Sequence, residues 1–374
     1  MTALPDFKLE RHFSRWEFTA RYNLAASDAQ SMSLRELLDL ATPAERAAFD
    51  RSWLGYTETF GAPDLREAIA ATYEKQQAGN ILCFAGAEEG LFAAMQVLLD
   101  RDSHAIVVTP NYQSAETVPL SLCPVTGIPL DPERGWRLDI DRVAAAIRSN
   151  TKLISINFPH NPTGKVLERD RFGALIALCR KHGIWLFSDE VYRLLDAGTG
   201  IEHLPQAADC YERALSLNVM SKTFGLAGLR VGWIASSDRE FLGRLERLKH
   251  YLSICSAAPS ERLALIALRA RDRILARNRT LLAANLSALQ DFFARHTDRF
   301  SWYQPDAGCV MYPRYRGVEG VERWTARLVE RAGVLLLPAS VYHSELTPVP
   351  ADRFRIGYGR ADFATGLAAL ETAL

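Results

Sequence analysis

Ser221-Lys222-Thr223-Phe224-Gly225-Leu226-Ala227-Gly228-Leu229-Arg230-Val231-Gly232 places a lysine directly after an apolar run and an arginine eight residues later in a glycine-rich setting. A lysine at the end of a buried strand is expensive unless it has a task, because burial lowers its pKa and leaves a nucleophilic amine. Taken alone, the segment also reads as a surface turn with a solvated lysine.

Outward from this stretch, strand-like and helix-like segments alternate. Apolar runs ending in turn residues lie at 105–110, 152–159, 183–189, 214–221 and 231–236, with a further strand-like run at 81–85. Helical patterns fall at 64–77, 88–100, 139–149 and 168–182. The alternation predicts an α/β fold with a mostly parallel sheet and helices on both faces. In such sheets the ligand site lies beyond the carboxyl ends of the strands. The pattern at 259–296 is helical and nearly unbroken. We expect a large domain over 45–260 and a smaller α+β domain built from both chain ends, 1–44 and 261–374.

Three more segments put polar residues at strand ends. Residues 155–164 read SINFPHNPTG, 188–193 read SDEVYR, and Arg355 lies in Phe354-Arg355-Ile356-Gly357-Tyr358-Gly359. Each has a plainer reading: Asn161-Pro162-Thr163-Gly164 as a turn, Asp189 as a helix N-cap, Arg355 as a surface charge.

In this order and spacing, from about Tyr56 to Arg355, the segments together resemble the class I/II aminotransferases of pyridoxal phosphate (PLP) fold type I. The resemblance implies that Lys222 holds pyridoxal 5′-phosphate as a Schiff base and then moves the substrate α-proton as general acid/base. It implies that Asp189 keeps the pyridine nitrogen protonated and that Asn161 and Tyr192 donate to the cofactor's phenolic oxygen. Arg230 would grip the phosphate, joined by Gly86, Ala87 and the amide of Glu88 at a helix start, and by Ser221. Tyr112 would stack on the ring, or is simply a core tyrosine. Tyr56 would reach the phosphate of a neighbouring subunit, which implies a homodimer with shared sites. Arg355, with Asn161, would bind the substrate α-carboxylate.

Departures from the pattern also carry information. Val219 stands where the family commonly has Ser or Gly, which puts one phosphate hydrogen bond in doubt. Leu24-Ala25-Ala26-Ser27-Asp28 stands where the family usually has a glycine-bearing substrate loop. No second arginine is placeable as a distal-carboxylate binder. Asn157-Phe158-Pro159-His160 and Tyr112-Gln113-Ser114 are similar to the branch containing capreomycidine synthase, where PLP serves elimination and ring closure on a hydroxylated arginine. His160 is a substrate contact or a structural turn histidine.

Bulk properties narrow the rest. The 374 residues are 48% hydrophobic and 24% charged, with 44 Lys plus Arg against 44 Asp plus Glu, so neither a nucleic-acid nor a membrane partner is expected. The six scattered cysteines form no Cys-x-x-Cys pair, and we expect them reduced in a cytoplasmic protein with no metal site. No signal peptide is read at the N-terminus. A nicotinamide dehydrogenase is disfavoured, since no Gly-x-Gly-x-x-Gly follows an early strand. A regulator's effector domain would need a DNA-binding domain ahead of it, whereas the matching segments begin at Tyr56. The expected activity is PLP-dependent transfer of an amino group between an α-amino acid and a 2-oxo acid. The alternative is a PLP-dependent lyase or cyclase acting on a β-substituted, arginine-derived amino acid.

Overall fold

The computed structural model describes residues 4–198 and 200–374. Its centre is a seven-stranded sheet. In chain order the strands are β1 (Ile81–Phe84), β2 (His104–Thr109), β3 (Val125–Pro129), β4 (Thr151–Asn157), β5 (Trp185–Asp189), β6 (Ala214–Val219) and β7 (Gly232–Ala235). In space they run β1-β7-β6-β5-β4-β2-β3. All are mutually parallel except β7, which is antiparallel to both neighbours.

The α/β fold with a mostly parallel sheet is therefore as expected, and the reason is visible in the strands. β2 and β6 are buried at every position and β4 at all but Lys152, so they read as continuous apolar runs covered on both faces. Alternate residues serve opposite layers. Ala105, Leu153, Phe187, Leu215 and Leu217 meet the helices Ala87–Leu98 and Arg239–Lys249 through Leu91, Met95, Phe241 and Leu245. Ile106, Val108, Ile154, Ile156 and Leu186 face Leu175, Ile176 and Cys179 of the helix Arg169–His182.

Towards the C-terminus, the helix Arg271–Arg295 packs Leu282, Leu286, Leu289 and Phe293 against Val310, Trp324, Phe354 and Leu370. Tyr22–Asn23 pairs in parallel with Val334–Leu335, which ties the N-terminal segment to this region. Leu37 and Leu38 instead pack among Leu65, Ile69 and Leu265.

Two local expectations differ from what is seen, and one strand was not anticipated. The helix at 64–77 ends at Ala70, because the amides of Glu74 and Lys75 turn to the Asp209 carboxylate at 2.9 and 3.0 Å. The long pattern at 259–296 is two helices, Ala258–Arg269 and Arg271–Arg295, meeting at Ala270. β3 carried no alternation to find: it is a half-buried edge strand with Gly127 inside and Pro129 at its end. All six cysteines are free. Among the described residues no helix is long and apolar enough to cross a membrane.

Candidate active site

The carboxyl ends of β4, β5 and β6 carry Asn157, Asp189 and Val219, and Ser221 and Lys222 follow Val219 two and three residues on. Because β7 runs the other way, Arg230, two residues before it, lies at the same rim. A cavity of about 460 Å³ opens there, walled also by Ala87, Glu88, Tyr112, Asn161, Tyr192 and Arg355. Ten of the twelve residues predicted from sequence line it; Gly86 and Tyr56 do not.

At the centre, Lys222 Nζ donates to Ser27 Oγ at 2.9 Å and sits 5.9 Å from the centroid of the Tyr192 ring. Burial lowers the Lys222 pKa, with nearby Asp28 and Asp189 opposing the shift. Asp189 Oδ1 accepts from the Val191 amide at 3.1 Å, so the capping interaction exists, yet the carboxyl also faces the cavity. Burial pushes it up to about 7. A carboxyl so placed is half-protonated near neutrality until a cation meets it. Tyr192 donates its hydroxyl to Ser27 O at 2.9 Å. Asn157 bridges the strand ends, giving Nδ2 to Asp189 O at 3.1 Å and taking the Asn161 amide on Oδ1 at 2.8 Å.

Along another wall lies Arg355, with no exposed surface. Its Nη1 donates to Asn161 Oδ1 at 3.1 Å and to the Tyr342 hydroxyl at 2.8 Å, and Nη2 donates to Ala25 O at 2.7 Å. Nε has no partner, and among the described residues no carboxylate forms an ion pair with this guanidinium. A buried cation held only by neutral acceptors is placed to receive an anion. Tyr342 also donates to Asn161 Oδ1 at 3.1 Å, so Asn161 is oriented by two donors. The Asn161-Pro162 bond is cis.

The third wall is built for a phosphate. The helix Ala87–Leu98 starts at Gly86, whose φ of 100° is strained for any residue with a side chain. A Cβ there would lie 2.6 Å from Arg230 Nη2. Gly86 is thus the backbone on which the Arg230 guanidinium rests, beside a helix N-terminus. Both features favour an anion. Glu88 turns its carboxylate away to accept from Ser114 Oγ at 2.9 Å. Tyr112 leans on Phe7, ring centroids 5.2 Å apart, and donates to Glu10 Oε1 at 3.3 Å. Val219 presents only apolar surface to the cavity. Tyr56 is 84% exposed and lies outside the cavity of its own chain.

His160 is structural. It is buried, with Nε2 against Pro110 O and Nδ1 against Thr163 Oγ1, both at 2.8 Å, and burial lowers its pKa to about 4. Sequence reasoning did not single out Tyr342, Glu10 or Glu17 as site residues, nor give Asn157, Ser27 and Asp28 a role. For Ser27 the signal was present, since its stretch was seen to replace a glycine-bearing loop. Tyr342 left none, as it is 181 residues from Asn161.

The site's chemistry suits a phosphorylated, ring-bearing cofactor. The phosphate would rest on Arg230 and the helix start, a ring cation on Asp189, a carbonyl carbon on Lys222, and a carboxylate ligand on Arg355. Comparison with known proteins agrees. Residues 21–365 match the family described as aminotransferase class I and II. The chain is 29% identical over 383 residues to capreomycidine synthase of Streptomyces vinaceus, covering 100% of this chain and 94% of that protein. A PLP-dependent aminotransferase from Streptococcus suis superposes with a TM-score of 0.92 at 27% identity, covering 100% of this chain and 98% of that one. The PLP-dependent cyclase OrfR superposes with a TM-score of 0.89 at 26% identity, covering 100% and 97%.

Proposed function

This chain belongs to the aminotransferase class I and II family, and on that premise we propose that it is an aminotransferase moving an amino group between an α-amino acid and a 2-oxo acid. Its cofactor is pyridoxal 5′-phosphate. The cofactor supplies an aldehyde for amine exchange and a ring that withdraws electrons from the substrate α-carbon.

The chain's own residues do the rest. Arg355 takes the substrate carboxylate bidentately, Tyr342 and Asn161 holding the guanidinium in place. That fixes which substituent of the α-carbon turns toward Lys222. The Lys222 amine would hold the cofactor and, when free, carry the α-proton on Nζ; burial lowers its pKa, which favours the unprotonated form. Ser27 Oγ, 2.9 Å away, steadies that amine. Asp189 would pair as a carboxylate with a protonated ring nitrogen. Arg230, Ser221 and the amides of Gly86, Ala87 and Glu88 would hold the phosphate end, Tyr192 and Asn161 would donate to the ring oxygen, and Tyr112 would cover the ring.

We read the working unit as a homodimer, with Tyr56 completing the partner's phosphate site. Trp53, Tyr56 and Tyr251 are 80, 84 and 88% exposed. Their segments are joined where Thr57 Oγ1 meets Ser256 O at 2.9 Å. An apolar patch of this kind calls for a cover. The free thiols fit a reducing compartment, the cytoplasm.

The observation that carries the reading is Arg355, buried without a counter-ion in the cavity that holds Lys222. Full-length likeness to capreomycidine synthase and to a PLP-dependent cyclase favours a second reading, elimination or ring closure on the same scaffold. One experiment separates them. An amino acid added without acceptor should release a single equivalent of 2-oxo acid per subunit, and turnover should resume when a 2-oxo acid is added. Sustained turnover of a β-substituted amino acid with no acceptor would replace the first reading by the second.

A further inference from the structure

The charges around the cavity do not balance. Its lining holds four cations, Lys222, Arg230, Arg355 and Arg360. Three have tasks in the reading above, and Arg360 is paired with Asp28 at 3.0 Å. None is left to receive a second carboxylate from a substrate. Among the carboxylates, Asp189 serves the ring, Asp28 is paired, and Glu88 turns to accept from Ser114 at 2.9 Å. Glu17 remains, and with it Glu10, which is exposed and accepts only a long 3.3 Å bond from the Tyr112 hydroxyl. Both line the cavity, and neither has a cation within ion-pair distance among the described residues.

These two belong to one surface of the N-terminal helix Lys8–Trp16, where Glu10, Phe13 and Glu17 fall at i, i+3 and i+7. Glu17 is the C-cap, so its carboxylate faces the negative end of the helix dipole. Burial, then the neighbouring carboxylates of Glu10 and Asp28, raise its pKa. Two like charges gathered on a cavity wall are costly unless something positive arrives. Phe13, between them in the helix, also lines the cavity, and an aromatic ring attracts a cation. Arg355 supplies the independent sign of a ligand: fully buried, with Nε unpartnered, it is placed to take a carboxylate in the same cavity.

We propose that the amino acid taken here bears a positively charged side chain, an ammonium or a guanidinium, and that Glu10 and Glu17 recognise it. The inference rests on the reading of the cavity as an amino-acid site and names the substrate class for it. Arg355 and the pair Glu10 and Glu17 then read the two ends of one molecule.

The test is calorimetric titration of the holoenzyme with L-arginine, L-lysine, L-citrulline, L-norleucine and L-glutamate, alongside assay of released 2-oxo acid. Citrulline and norleucine are neutral counterparts of arginine and lysine, so the two pairs separate a guanidinium from an ammonium. The better charged ligand should bind about ten- to a hundredfold tighter than its neutral counterpart, the scale of hydrogen bonds to a charged group. The preference should shrink as salt rises. Glu10→Gln combined with Glu17→Gln should remove most of it, mainly by weakening the charged ligand. Glu10 is exposed, so Glu10→Gln alone provides a variant whose folding is not in question. Neutral ligands binding as tightly as charged ones, a double variant that keeps the preference, or tightest binding of glutamate would each overturn the proposal. Binding of arginine or lysine that depends on Glu10 and Glu17, with no 2-oxo acid released, would refute the transamination reading and leave the subsite standing. Release of 2-oxo acid from neutral or acidic amino acids with both cations rejected would do the reverse.

Discussion

Replacing Asp189 by asparagine should make the cofactor-free protein more stable and the enzyme nearly inactive. In the folded chain burial moves this carboxyl from its ordinary 3.8 to about 7. At 1.36 kcal/mol per unit, keeping it ionised costs roughly 4 kcal/mol as an upper figure. The sign follows from proton binding. Between about pH 4 and 7 the folded state holds a proton that the unfolded state has released, so stability falls as pH rises through that window. Above about pH 7 the cost is complete. Asparagine has nearly the same shape, retains an oxygen for the Val191 amide, and carries no charge. Cofactor-free Asp189→Asn should therefore exceed wild type by about 2–4 kcal/mol at pH 8, and the gap should close toward pH 4. With the cofactor bound, a ring cation offsets the buried charge in wild type but not in the variant, so cofactor should raise Tm more in wild type. The variant's kcat should fall about a hundredfold or more, the scale of one lost preorganised electrostatic partner. Urea unfolding of both cofactor-free proteins across this pH range, with steady-state kinetics on the loaded forms, decides it. A stability gap that is absent or constant with pH would refute the burial argument. Near-wild-type kcat would reduce Asp189 to a cap.

Lys222→Ala should abolish covalent cofactor attachment; borohydride reduction of wild type followed by peptide mapping should find the label on Lys222, and a label on another lysine would refute the assignment. Arg355→Met should weaken amino-acid binding by about two to four orders of magnitude, two charge-assisted hydrogen bonds at roughly 1.5–3 kcal/mol each, while the matching decarboxylated amine changes far less. Equal losses for both ligands would mean that Arg355 acts only through the fold. Mixing Lys222→Ala subunits with Tyr56→Phe subunits should regenerate part of the activity in hybrids; no recovery after verified exchange, or a monomer at working concentration, would count against a shared site. Val219→Ser should tighten cofactor binding by roughly 0.5–1.5 kcal/mol, read by equilibrium dialysis, and unchanged affinity would show that no hydroxyl is missed there.

The residues legible in the sequence were those whose position depends on local chain geometry. Lys222, Asp189 and Asn161 each follow an apolar strand within a few residues, and a buried parallel strand delivers whatever follows its carboxyl end to the same rim. Arg230 was legible for the same reason, as β7 begins there. The α/β alternation was readable because strand and helix periods are properties of short segments. Tertiary structure alone decided the contacts made across long stretches of chain. Ser27 reaches Lys222 over 195 residues, Tyr342 reaches Asn161 over 181, and Ala25 caps Arg355 over 330. No local pattern encodes such meetings, because they depend on how the N-terminal segment and the C-terminal strands close over the sheet. The same closure swings the helix Lys8–Trp16 across the cavity and turns Glu10 and Glu17, two unremarkable charges in the sequence, into its acidic wall. Local periodicity thus determined the scaffold and resemblance to a known family marked the candidate cofactor contacts on it, while the packing of the chain ends over that scaffold decided what else walls the cavity.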